Sequence, residues 1–402
     1  MKRAFVLGGT VPHIELIRQL HEMEYYVYLI DYTNNPPAKG VADEHLKAST
    51  LDPQEVLTLA REKQIDLIIS SCIDQANSTA CYVAEQLNLP CPYSYATSLD
   101  VTRKGLMKSI FKQGGVPTSD FYIIDKNGSR EIRLPYPFVI KPTDANSSKG
   151  VFKIESEEEF REKIDQSLGF SREGKAIVEG FVSGIEIQVD CVAVNGKAHV
   201  LMTSDKEKLQ SGGKELQVAG FSIPGKVCDH YKEDLKNIAQ RIVDSFHLVN
   251  TPFFYQAICD DKGVWVLEFA PRIAGGTRFD TVKMFSGYDY IKASINSFVG
   301  QPLDDKFETP DVKYVVRHLY MKPGVFSKVD GLDELLASGG IDAYFPFANF
   351  GREISTSMNS GNRIGAIMVK DNSYEMADER IASALGKLRL LDEEGNDKSY
   401  WR

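Results

Sequence analysis

The chain has 402 residues, enough for two or three domains at roughly 150 residues each, and its 47 basic and 56 acidic side chains leave a formal charge of −9. With 43% hydrophobic and 26% charged residues, no basic tract and no apolar run near the roughly 18 residues of a membrane span, the composition argues against a disordered chain, a membrane protein and a nucleic-acid binder. The four apolar residues before Gly8 are too few for a secretory signal, and six cysteines without CxxC spacing fit reduced thiols, so a cytoplasmic location is expected.

The first hundred residues alternate short apolar strands (4–7, 27–31, 66–71) with amphipathic helices (11–24, 53–63, 78–87). That alternation predicts a Rossmann-like parallel sheet with right-handed crossovers. Gly8-Gly9-Thr10 follows the first strand and Asp31 closes the second, the placement of a dinucleotide site. The third glycine of GxGxxG is missing, however, so the turn reads as a substrate-facing loop or a plain tight turn. A helix over 100–113 is stopped by Gly114-Gly115-Val116-Pro117. An α+β lobe follows: strands at 137–141 and 151–154, a helix opened by a Ser156 cap, and strands at 176–179, 185–194 and 199–203. Residues 205–220 are polar, hold Gly212-Gly213 and read as a mobile loop. A helix over 230–246 leads to strands at 253–259 and 264–270, and a last section carries strands at 313–320 and 365–369 and a helix over 374–388.

Four constellations carry chemistry. Lys141 ends an apolar strand before the small-residue loop 142–150, which contains Ser147, Ser148 and Lys149. A cation beside hydroxyls and bare N–H groups suits phosphate, although a surface lysine before a hairpin loop has the same sequence. Glu179 and Glu186 flank a glycine-bounded segment and can accept hydrogen bonds from adenine or ribose, or stand as solvated strand charges. If 261–263 form a three-residue hairpin turn with Gly263 in the left-handed region, Asp260 pairs with Val264 and Gln256 faces Glu268. Those two side chains then offer oxygens to nucleotide-borne Mg²⁺, or form a structural hydrogen-bonded pair. Arg272 and Arg278 bracket Gly275-Gly276, as a carboxylate or acyl-phosphate cradle or as a plain surface loop.

Taken in order, these segments resemble the ATP-grasp superfamily of carboxylate-amine ligases over nearly the whole chain. The resemblance is nearest the branch of biotin carboxylase, N5-carboxyaminoimidazole ribonucleotide synthetase and the bacterial L-amino acid ligases. It implies a pre-ATP-grasp domain (1–98), an ATP-grasp domain (99–311, with a lid lobe about 117–182 and a catalytic lobe from 183) and a C-terminal part (312–402). In TRKGLMK and FVIKP, Lys104 and Lys141 look like the family's two phosphate lysines, and 143–150 like its phosphate loop, here rich in Asp, Ala, Asn and Ser rather than glycine. In AIVEGFVSGIEI, Glu179 looks like the adenine-contacting glutamate, Gly180, Phe181 and Val182 like the hinge, and Glu186 like the ribose ligand. In LEFAPR, Glu268 looks like the magnesium carboxylate and Arg272 like the arginine that polarises the acyl centre.

Two departures stand out: Gln256 takes the place of a second magnesium carboxylate, and Ala270 that of an asparagine ligand. Weaker binding of at least one metal ion follows. The resemblance implies ATP with Mg²⁺, or Mn²⁺ in its place, a small carboxylate and a small amine as substrates, an acyl phosphate, then an amide with ADP and phosphate. It also implies a homodimer. A bicarbonate-activating carboxylase of purine synthesis and a nucleotide-binding protein without catalysis are the alternatives. Lys104, Lys141, Lys149, Arg272 and Arg278 are expected to converge on one cleft.

Overall fold

The computed structural model describes residues 1–145, 150–211, 214–356 and 360–401. Its packing resolves two compact units: Met1–Gly184 with Val189–Leu201 and Tyr231–Phe307, and Ile185–Gln188 with Met202–His230 and Glu308–Arg402.

The first unit opens with a four-stranded, wholly parallel sheet in the order Glu44–Leu46, Tyr25–Ile30, Lys2–Leu7, Leu67–Ile69. Phe5, Val6, Leu7, Leu29, Ile30 and Ile68 are fully buried, as expected of parallel strands covered by helices. The winding reverses between Lys2–Leu7 and Leu67–Ile69, so residues 8–10 and 70–72 share the switch point where open α/β sheets place ligands. The helix expected over 100–113 is two helices, Tyr95–Thr102 and Lys104–Gln113, parted where Arg103 turns extended (φ −100°, ψ 102°). The Lys104 amide is spent on the Thr143 carbonyl (3.2 Å), which ties the start of the second helix to the end of the strand Phe138–Pro142.

That strand belongs to an antiparallel sheet in the order Phe121–Asp125, Lys175–Gly180, Phe138–Pro142, Phe152–Ile154. Phe138, Ile140, Ile154 and Val178 form its core with Phe160 and Ile164 of the helix Glu157–Gly169, whose first turn is capped by the Ser156 hydroxyl accepting from the Glu159 amide.

The hairpin Thr251–Asp260 with Gly263–Ala270 corrects a detail. Only Asp261 and Lys262 lie in its turn, because Asp260 Oδ1 accepts from the amides of Lys262 and Gly263 and from Trp265 Nε1, drawing Gly263 into the strand. A one-residue bulge at Leu267 then shifts the register from Ala257↔Val266 to Gln256↔Glu268. The expected opposition is thus reached through a shorter turn and a bulge.

The second unit holds antiparallel strands. Residues 205–211 pair with Lys214–Ile223, which pairs with Lys313–Tyr320, followed by Arg363–Asp371 and Ala343–Pro346. The segment expected as a mobile loop is therefore a β-ribbon, bulged at Glu207/Lys208, while Gly212-Gly213 lie outside the described residues. Backbone pairing holds it, and backbone pairing leaves no apolar alternation to read. Val315, Leu319, Ile364, Ile367 and Val369 pack on Ile381 of the helix Tyr374–Lys387.

Candidate active site

Two lysines one helical turn apart, Lys104 and Lys108, look inward from the helix Lys104–Gln113. Lys104 Nζ donates to the Ala145 carbonyl (2.7 Å), at the mouth of the loop after Lys141. Burial pushes its pKa down, opposed by the negative charges of Glu268, Asp74 and Glu179, with Lys141 adding to the downward push. Lys108 is fully buried, 2.7 Å from Glu179 Oε2 and 3.2 Å from the Ser119 hydroxyl. Lys141 Nζ takes the other oxygen of the same carboxylate, Oε1, at 2.7 Å. Burial alone would raise the Glu179 pKa, but the two lysines hold it below the usual carboxylate range. Burial and the neighbouring lysines pull Lys108 down to about 8 despite Glu179. Glu179 is 3% exposed, with each oxygen on a lysine. Its side chain here orients Lys141.

The Gly180 amide donates to the Asp120 carbonyl and the Phe181 amide to the Pro137 carbonyl, fixing the start of the segment expected as the hinge. The Phe181 ring is exposed with Lys153 Nζ 4.6 Å over it, and Val182 is half-buried.

Glu268 faces Gln256 across the hairpin and lies in the field of both Lys104 and Arg272. Arg272 is gripped by Asp74, the first residue of the helix Asp74–Leu87, through Nε to Oδ1 (2.6 Å) and a terminal nitrogen to Oδ2 (2.5 Å). Its remaining terminal nitrogen donates to the Ile273 carbonyl (2.9 Å), and its guanidinium lies 5.1 Å over the Phe254 ring. Burial would lower the Arg272 pKa, but Asp74 more than reverses it. Cys72 shares this neighbourhood: its Sγ is 3.3 Å from the Thr10 hydroxyl, and a Cβ built on Gly275 would lie 3.9 Å from its own Cβ. Asp74 joins the strand-edge loop of the parallel sheet to the segment after Glu268.

Arg278 does not line an open Gly-Gly loop. It begins the helix Arg278–Ser286, is buried, and sets one terminal nitrogen 3.5 Å from Asp190, itself fully buried. Burial lowers its pKa against the pull of Asp190. Gly276, two residues before it, has φ +68°; a Cβ there would meet nothing within 4 Å, and one at Gly275 only the Cys72 Cβ at 3.9 Å. Glu186 belongs to the second unit, where Lys206 and Lys208 each take one of its oxygens at 2.5 Å and hold its pKa down to about 2 against burial. Ser147, Ser148 and Lys149 lie outside the described residues.

Of the five cations expected to converge, the structure brings together Lys104, Lys141 and Arg272 around Glu268, Glu179 and Asp74, while Arg278 is drawn to Asp190. Lys108 and Asp74 are the residues that sequence reasoning missed. The i, i+4 lysines of KGLMK signal the first; nothing local signals Asp74, whose partner is 198 positions away.

Residues 134–280 match the family model of the ATP-grasp domain, so the chain carries an ATP-grasp domain. In the C-terminal part, residues 317–391 match the model of L-amino acid ligase C-terminal domain 2. The formate-dependent phosphoribosylglycinamide formyltransferase of Leptothrix cholodnii is 22% identical over 413 aligned positions, 96% of each chain, whereas that of Actinobacillus pleuropneumoniae serotype 3 is 27% identical but aligns over only 47% of its own length. In fold, the L-amino acid ligase of Bacillus licheniformis superposes with a TM-score of 0.81 at 19% identity, covering 98% of this chain and 99% of that one. The biotin carboxylase domain of Hydrogenobacter thermophilus 2-oxoglutarate carboxylase, solved with MgADP, ADP and bicarbonate, superposes with a TM-score of 0.77 at 17% identity, over 97% and 90%. Among the described residues no helix is long and apolar enough to cross a membrane.

Proposed function

We propose that the protein is an ADP-forming ligase that activates a small carboxylate with ATP and joins it to a small amine. The observation that carries this reading is the meeting of Lys104, Lys141, Glu268 and Arg272, from three separate segments, in one electrostatic field. Phosphoryl transfer asks a protein for positioning and charge neutralisation more than for covalent help. A carboxylate oxygen attacks the γ-phosphorus, the bond to the ADP oxygen breaks, and an acyl phosphate forms. The amine nitrogen then attacks the acyl carbon, phosphate leaves with the bonding pair, and the amine proton passes to solvent. Lys104 and Lys141 hold the phosphate oxygens, Arg272 holds the carboxylate, and the hinge at 180–182 receives the base.

Magnesium carried by the nucleotide would neutralise phosphate charge, with Glu268 and the Gln256 amide oxygen as its protein ligands. Among the described residues no group of three His, Cys, Asp or Glu side chains gathers to hold a metal unaided, which fits an ion shared with the phosphates rather than a resident one. The match of the C-terminal part favours an amino acid as one substrate. Domain limits at 98 and 311 and a homodimer belong to the same reading, the dimer testable by light scattering.

The direct test is an ADP-release screen of amines against carboxylates with Mg-ATP, with mass spectrometry of each hit; silence across a broad library overturns the ligase. Dependence of phosphate release on bicarbonate plus aminoimidazole ribonucleotide would select the carboxylase instead. The neutral Gln256 favours the remaining alternative, a nucleotide binder without turnover. That reading wins if Lys141→Ala abolishes ATP binding while the wild type never releases ADP.

A further inference from the structure

We propose that the glycine turn at the head of the parallel sheet is sealed against phosphate by the protein's own groups, with Asp31 as the specificity-determining residue, so that the amine substrate carries no phosphate group. This rests on the ligase reading and narrows its substrate class.

A glycine-rich turn between a first strand and the helix after it, at a switch point, ordinarily offers bare N–H groups and a helix N-terminus to phosphate. Here the three amides of the turn itself are taken. The Gly8 amide donates to the Ile30 carbonyl (2.9 Å), the Gly9 amide to Asp31 Oδ2 (2.8 Å) and the Thr10 amide to His13 Nδ1 (3.2 Å). Pro12, in the first turn of the helix Val11–Glu22, has no N–H to give. Asp31 is itself held in place, its Oδ1 accepting from the Thr33 amide (2.8 Å) and hydroxyl (2.7 Å). An entering phosphate would have to displace a bound carboxylate and then sit beside its negative charge. His13 cannot replace the lost attraction, since it is fully buried and desolvation holds its pKa down to about 4, leaving the ring neutral at pH 7.

The two glycines have another explanation. A Cβ on Gly8 would lie 2.5 Å from Ile73 Cδ1, and one on Gly9 2.4 Å from Pro36 Cβ, so their bareness serves the close packing of neighbouring loops rather than the approach of a ligand. What the switch point leaves toward the catalytic cluster is the Thr10 hydroxyl, Cys72 and the Arg272–Asp74 pair. A guanidinium beside a carboxylate complements a compact zwitterion, carboxylate to arginine and ammonium to aspartate.

The test is calorimetric titration of the full chain, with its nucleotide site filled by a magnesium complex of a non-hydrolysable ATP analogue, using ribose 5-phosphate and phosphoribosylglycinamide as probes. No saturable binding up to millimolar concentration is expected. Micromolar binding of either probe, lost when the phosphate is removed, overturns the seal. In Asp31→Ser the Gly9 amide is freed and the charge is gone. A gain in ribose 5-phosphate affinity on the order of tenfold is expected for one recovered charge-assisted hydrogen bond, and unchanged affinity in a folded variant removes Asp31 from the role. Should that variant fail to fold, the wild-type titration still decides. Failure of the analogue itself to bind would overturn the ligase reading, and the titration would then judge the seal on the bare protein.

Discussion

Glu179 and Glu186 are seven residues apart in the chain, each with its two oxygens on two lysines, yet the two clamps are built differently. Lys206 and Lys208 reach Glu186 from a single strand, and the Glu186 side chain remains 20% exposed. Lys108 and Lys141 reach Glu179 from a helix and a neighbouring strand, 71 and 38 positions away, and Glu179 is nearly inaccessible. A clamp assembled from distant elements fixes the elements as well as the charge, because moving either lysine strands a buried carboxylate. A clamp from one strand fixes only its own surroundings. The Glu179 cluster thus couples the fold to Lys141, the cation proposed to hold phosphate.

Substitutions separate the two clamps by size of effect. Lys141→Met should cost turnover on the order of 100-fold or more, the loss typical of one preorganised charge contact, read as ADP release at saturating ATP. Glu179→Gln leaves two lysines facing a neutral amide, one of them fully buried, and should cost about 3 kcal/mol with a matching fall in denaturant midpoint; a midpoint within error of wild type would mean the cluster relaxes freely.

Glu186→Gln should act through pH. Its folded pKa of about 2 lies below the ordinary 4.5, so its contribution is full above 4.5 and is lost as pH falls toward 2, roughly 3 kcal/mol across that window. The variant should lack that slope in acid-unfolding curves. Lys108 works in the opposite range: its folded pKa near 8 lies below the usual 10.5. The unfolded chain therefore holds the extra proton between those values, and stability from this residue rises with pH from about 8 to 10.5; Lys108→Met should flatten the rise. Arg161→Ala, which removes an exposed i, i+4 pair with Glu157, should leave the melting temperature unchanged.

Much of this was legible in order and spacing. Strand–helix alternation announced the parallel sheet, an apolar run ending in Lys141 announced a cation at a strand end, and hairpin spacing set Gln256 against Glu268. Each depends on near neighbours along the chain. The misreadings have the same root. The Gln256–Glu268 register survived only because the bulge at Leu267 offset the shorter turn, and the paired strands within 205–220 read as a loop because their pairing is carried by backbone groups that every sequence possesses.

The sequence by itself determined the class of fold and the kinds of groups available: lysines, a carboxylate opposite an amide, and arginines. Only the tertiary structure decided which groups meet. It placed Asp74 on Arg272 and Lys108 behind Glu179, drew Arg278 to Asp190, and filled the Gly8-Gly9-Thr10 turn with Asp31 and His13. The reason is physical. A buried charge or amide must find a partner wherever packing offers one, and most of these partners lie tens to hundreds of residues away in the chain.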